Sequence, residues 1–173
     1  MGLIHIYTGD GKGKSTAALG LALRAAGRKK QVVIAQFLKG GDTGELYTLA
    51  HIPNITLMRN SRDYGFFHTL DDADKQAVYR ENTQNLLTAC ELAQKGQCDM
   101  LILDEIWPAY NLRAVDTQAM ERLLAEKKTA PELVLTGRDA PASFIEKADY
   151  VTNMQCAKHP FTRGIAAREG IEY

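Results

Sequence analysis

Short apolar runs rich in β-branched residues alternate along this chain with helical stretches, and that alternation leaves few architectures open. The runs are Leu3 to Thr8, Gln31 to Phe37, Asn54 to Met58, Met100 to Leu103, Glu132 to Thr136 and Asp149 to Asn153. Each is too short for a helix and bounded by turn residues, so six strands are expected. Helical stretches run from about Lys14 to Arg28, Glu45 to His51, Asp71 to Lys95, Asp116 to Lys128 and Pro141 to Lys147. Strand and helix in regular succession make a parallel sheet with helices on both faces. At 173 residues the chain has the length of one such domain, spanning 1–173.

Between the first strand and the first helix stands Thr8-Gly9-Asp10-Gly11-Lys12-Gly13-Lys14-Ser15-Thr16. Glycines there let backbone N–H groups turn inward around phosphate oxygens, and the helix start adds its positive end. Lys14 is expected to hold the terminal phosphates and Ser15 to offer its hydroxyl to Mg²⁺. The usual first glycine of a phosphate loop falls on Thr8, and a glycine follows at Gly9. A second element is the apolar strand that delivers Asp104 and Glu105 to its carboxyl end, where open α/β sheets bind ligands. Two carboxylates there suit a magnesium-nucleotide. Arg138, at another strand end, reads either as a phosphate contact or as a surface ion pair.

Charge supports an anionic ligand near the amino terminus. The chain is neutral overall, with 21 basic and 21 acidic side chains, yet residues 1–41 hold seven basic residues against the single acid Asp10. With 45% hydrophobic and 24% charged residues, the composition excludes a disordered chain, a collagen and a basic nucleic-acid tail. Cys90, Cys98 and Cys156 have neither disulfide nor zinc-ligand spacing, which predicts free thiols in a reducing compartment. No apolar run reaches the 18 or so residues that span a bilayer, and Met1 to Ile4 leads into a strand where a signal peptide would have its apolar core. A cytoplasmic protein with no membrane or nucleic-acid partner is expected. Asn60 to Leu70 and Ala157 to Tyr173 lack a clear period, and irregular segments of this kind carry specificity.

Taken together, five segments resemble the P-loop type of ATP:corrinoid adenosyltransferase: the loop, Gln36-Phe37-Leu38-Lys39-Gly40, Leu103-Asp104-Glu105, Thr136-Gly137-Arg138, and the tail with Lys158-His159-Pro160-Phe161, Gly164-Ile165 and Gly170-Ile171. The resemblance runs nearly end to end. It implies a RecA-like fold that binds MgATP and a corrinoid, joins C5′ of the nucleotide to cobalt(I), and releases triphosphate. It also implies a homodimer supplied with electrons by a reduced flavoprotein. By position, Thr8 to Thr16, Arg24 and Arg138 would contact the nucleotide, and Ser15, Asp104 and Glu105 would serve the metal. Without the resemblance, Arg24 reads as part of a solvated helix face.

Family members resembling this chain make cobalt(I) accessible by displacing the corrinoid's lower axial ligand with aromatic side chains. Here that region reads Gly65-Phe66-Phe67-His68. Phe66 matches the family phenylalanine, and His68 stands where the family usually has tryptophan or another aromatic. The catalytic set implied is therefore Lys14, Glu105, Phe66 and His68. The residues alone also allow Phe66 and Phe67 to be core anchors of a loop. The chain begins at the first strand, so the N-terminal extension that covers the active site in longer relatives is expected to be replaced by another closure. Motif physics by itself stops at MgATP binding, which a P-loop kinase, an ATPase or a nucleotide-sensing partner would share.

Overall fold

A computed structural model describes residues 2–125 and 131–173. Six parallel strands form one sheet: β1 (Ile4–Thr8), β2 (Val32–Gln36), β3 (Ile55–Met58), β4 (Met100–Asp104), β5 (Glu132–Thr136) and β6 (Tyr150–Asn153), in the order β3-β2-β4-β5-β1-β6. The helices are α1 (Lys14–Ala26), α2 (Gly44–Leu49), α3 (Asp72–Gln94), α4 (Ile106–Asn111), α5 (Thr117–Ala125) and α6 (Ala142–Ile145). All six expected strands are present, and the α/β P-loop fold is borne out. Expected helix residues 126–128 lie outside the described residues. Among the described residues no helix is long and apolar enough to cross a membrane.

Side-chain alternation along the strands splits the core into two layers. Val33, Ala35, Leu101, Leu103 and Leu135 pack with Leu86, Trp107, Met120 and Phe144 from α3 to α6. Val32, Ile34, Met100, Ile102 and Val134 face Ala18 and Ala22 of α1 and Leu49 of α2. Ala18 and Ala22, fully buried, let α1 lie close to the sheet.

α4 is the helix that the sequence conceals. It has six residues, too few to show a period, and Pro108 in its first turn reads as a breaker. Proline is tolerated there because a first-turn N–H has no intrahelical partner. Of the two aperiodic segments, the first holds a 3-10 turn at Phe67–Thr69 and the second one at Pro160–Arg163.

Candidate nucleotide site

Strand parity builds the floor of the site. Gln36 continues the row of Val32 and Ile34, Asp104 that of Met100 and Ile102, and Thr136 that of Val134, so all three reach the α1 face at the carboxyl edge. Gln36 is paired with Asp104 across β2 and β4. All three are essentially fully buried, which makes hydrogen bonding obligatory. Thr136 Oγ1 donates to Asp104 Oδ1 at 2.7 Å and accepts from Glu105 N–H at 3.0 Å. Lys39 Nζ donates to Asp104 Oδ2 at 2.8 Å, and the Gln36 amide donates to the same oxygen at 3.4 Å and to Glu45 Oε1 at 3.0 Å. Burial would raise the Asp104 carboxyl, but Lys39, Thr136 and Ser15 together hold it below the usual value. Glu105 behaves oppositely: burial and the neighbouring Asp104 charge raise it, against Lys39, Lys14 and Arg138.

The phosphate loop closes over this edge from β1. Gly9, with φ of 99°, lies so close to the chain beyond β6 that a Cβ would fall 2.4 Å from the Met154 carbonyl oxygen. Only glycine has both that conformation and that clearance. Gly11 N–H donates to Met154 O at 2.7 Å, and Asp10 Oδ1 accepts from Cys156 N–H at 3.0 Å. Lys14 is buried at the start of α1, where its ammonium donates to the Gly9 and Gly11 carbonyls at 2.7 Å each. Burial lowers its pKa while the Glu105 charge opposes the shift. Lys12 instead reaches the chain end, donating to Glu172 Oε1 at 2.6 Å and to the Ile171 carbonyl at 3.2 Å.

These elements surround a cleft of about 630 Å³. Asp10 to Thr16, Lys39, Glu45, Glu105, Arg138 and the tail from Gly170 to Tyr173 line it. Thr8 lies below the loop, with its hydroxyl accepting from Ala140 N–H at 3.3 Å. Arg24 is exposed in the last turn of α1 and does not line the cleft; its charge acts on Tyr7. Asp63 borders the cleft, whereas Phe66 and His68 stand outside its lining, ring-stacked at 5.8 Å. Phe66 is 76% exposed and so is not a core anchor, while Phe67 is half-buried.

The donor set fits a hydrated divalent cation. Ser15 and Asp104 offer oxygens only, and Gln36 Oε1 is a buried acceptor with no hydrogen-bond partner among the described residues, as a metal-bound water would require. Among the described residues no group of three or more His, Cys, Asp or Glu comes together. Lys39, Gln36, Glu45 and Thr136 take no site role from the sequence alone. Their position at the carboxyl ends of neighbouring strands, or just beyond, is the signal that marks them.

Over residues 1–173 the chain matches the profile of the family described as ATP:corrinoid adenosyltransferase BtuR/CobO/CobP. A corrinoid adenosyltransferase of a Sinorhizobium species is 35% identical, the alignment covering 99% of this chain and 80% of that protein. One from Pseudomonas aeruginosa is 32% identical, covering 99% and 84%. The corrinoid adenosyltransferase CobA of Salmonella typhimurium is 32% identical, covering 99% and 86%.

Proposed function

The chain belongs to the ATP:corrinoid adenosyltransferase family, and from that premise we propose that it joins the 5′-carbon of ATP to the cobalt(I) of a corrinoid and releases inorganic triphosphate, in adenosylcobalamin formation or salvage. The full-length family match carries this reading, because the phosphate loop alone would serve a kinase equally well. In the reaction the cobalt(I) electron pair forms the Co–C5′ bond while the C5′–O bond breaks, its electrons passing to the triphosphate. Nothing needs to deprotonate a nucleophile. The protein must instead orient the carbon in line and stabilise charge on the leaving group.

Lys14, together with the amides of Gly11 to Thr16, would meet that charge at the mouth of α1, and Arg138, which also lines the cleft, adds a second cation. Lys12 joins them on release from Glu172. Ser15 and Asp104 would hold Mg²⁺, which neutralises the triphosphate when bound. Glu105 lines the cleft next to Asp104 and would either ligate the metal or accept a hydrogen bond from its bound water. The exposed Phe66 and the His68 ring stacked on it offer an apolar face to the lower side of a corrinoid. The same reading takes a reduced flavoprotein as electron donor, a cytoplasmic location and a homodimeric state. The test is incubation with MgATP and chemically reduced corrinoid, with both products identified. Triphosphate with an adenosylated corrinoid is expected; ADP overturns the proposal in favour of phosphoryl transfer.

A further inference from the structure

Lys39 lies in one of the segments that carry the family resemblance, but nothing local to it says which group it pairs with. β2 ends at Gln36, and the chain then turns sharply through Leu38, whose φ is 57° although it carries a Cβ. Leu38 N–H is held by Asn82 Oδ1 at 3.5 Å, and the Lys39 carbonyl accepts from Asn60 N–H at 3.2 Å. Gly40 follows, packed so tightly that a Cβ would fall 1.7 Å from the Arg62 carbonyl oxygen. A left-handed residue before, and a glycine with no space for a side chain after, fix the direction in which Lys39 leaves the backbone.

Its ammonium lies 2.8 Å from Asp104 Oδ2 and 3.4 Å from Ser15 Oγ. Those are the two oxygens that the magnesium reading assigns to the metal, so a cation already bridges them. Asp104 is 1% exposed and does not line the cleft, whereas the Lys39 side chain is 27% exposed and does. An ion entering from the cleft meets Lys39 before it meets Asp104. Two like charges cannot share the position, and removing either one leaves a buried carboxylate in need of the other.

We propose that Lys39 is a resident counter-cation that occupies the magnesium position of the nucleotide-free protein and yields it when the metal arrives with its nucleotide. The displaced ammonium stays in the cleft, where the phosphates provide a new partner for the charge it gave up. Metal without nucleotide offers no such partner and has to break the Lys39–Asp104 contact uncompensated. Ordered entry of the metal follows: it binds weakly alone and well as the nucleotide complex. This inference rests on the magnesium reading above.

Electron paramagnetic resonance of Mn²⁺, titrated into nucleotide-free protein, tests it. Lys39→Met should bind Mn²⁺ about tenfold more tightly than wild type or better, the worth of one charge-assisted hydrogen bond that the ion no longer breaks. The gain should vanish in Lys39→Met/Asp104→Asn. Because Lys39→Met takes the ammonium from a buried carboxylate, wild-type protein labelled at lysine Cε supplies a second readout that does not depend on that variant's folding, with Lys39 assigned by its absence from Lys39→Arg. Its resonance should shift with MgATP and remain in place with Mg²⁺ alone. Equal Mn²⁺ affinity in wild type and Lys39→Met, or a Lys39 resonance unmoved by MgATP, overturns the proposal. If Asp104→Asn leaves Mn²⁺–ATP binding unchanged, the magnesium reading itself fails and takes this proposal with it.

Discussion

Replacing Thr136 by valine changes little in volume but orphans two groups at once. The hydroxyl is fully buried, donates to Asp104 Oδ1 at 2.7 Å and accepts from the backbone of Glu105 at 3.0 Å. A hydrogen bond to a charged group is worth about 1.5–3 kcal/mol, and a buried N–H left without an acceptor costs about 1–3 kcal/mol. Allowing for partial relaxation, Thr136→Val should lose about 3 kcal/mol of stability, or about 6–12 °C in melting temperature for a chain of this length. Thr136→Ser, which keeps the oxygen and deletes one buried methyl, should lose only about 1 kcal/mol. Urea unfolding followed by circular dichroism, without nucleotide, measures both. The loss also depends on pH. Asp104 is held below the ordinary carboxylate value, so its contribution is present above the unfolded pKa of about 4 and disappears as pH falls through the lower folded value. The difference between wild type and Thr136→Val should therefore be constant near neutrality and shrink in acid. A loss below about 1 kcal/mol at pH 7, or equal losses for valine and serine, would refute the hydrogen-bond reasoning.

Lys14→Ala should reduce kcat by about a hundredfold or more at saturating MgATP, since it removes a preorganised donor to the leaving group; a near-normal rate rules out that role. Glu105→Gln should raise the magnesium requirement in a titration at fixed ATP without diverting product to ADP. Phe66→Ala should cripple turnover that starts from cobalt(II) and largely spare turnover from cobalt(I) supplied already reduced, because only the first needs the axial ligand displaced. His68→Phe should be tolerated in both assays, and nitrogen hyperfine splitting in the cobalt(II) spectrum that vanishes in this variant would show cobalt ligation instead. Burial, aided by the Asp99 charge, pushes the Cys98 thiol up to about 11. Thiol reagents at pH 8 should thus label the exposed Cys156 quickly and Cys98 only on unfolding, and stability should fall as pH rises from about 8.5 toward 11, where the unfolded thiol ionises first.

What the sequence determines here is local. The loop from Thr8 to Thr16 needs only its glycines, its lysine and a flanking strand and helix to be read, and Asp104 and Glu105 announce themselves by following four apolar residues. That Gln36, Asp104 and Thr136 share one face is decided by how the strands pair and pack, not by alternation within any one of them. Strand order is not local: β5 lies between β1 and β4, and nothing within either strand specifies that neighbour. Without it Thr136 has no route to Asp104, 32 residues away in the chain. Lys39 looks like one more basic residue until the Leu38 turn carries it 2.8 Å from a carboxylate 65 positions along. The tail is more remote still, since Glu172 meets Lys12 across 160 residues. Local sequence encodes periodicity, caps and turns because those interactions act over a few residues. Partners for buried charge are chosen by the packing of the whole sheet, where an unpaired carboxylate is too costly to leave and the nearest ammonium, wherever it lies in the chain, is drawn to it.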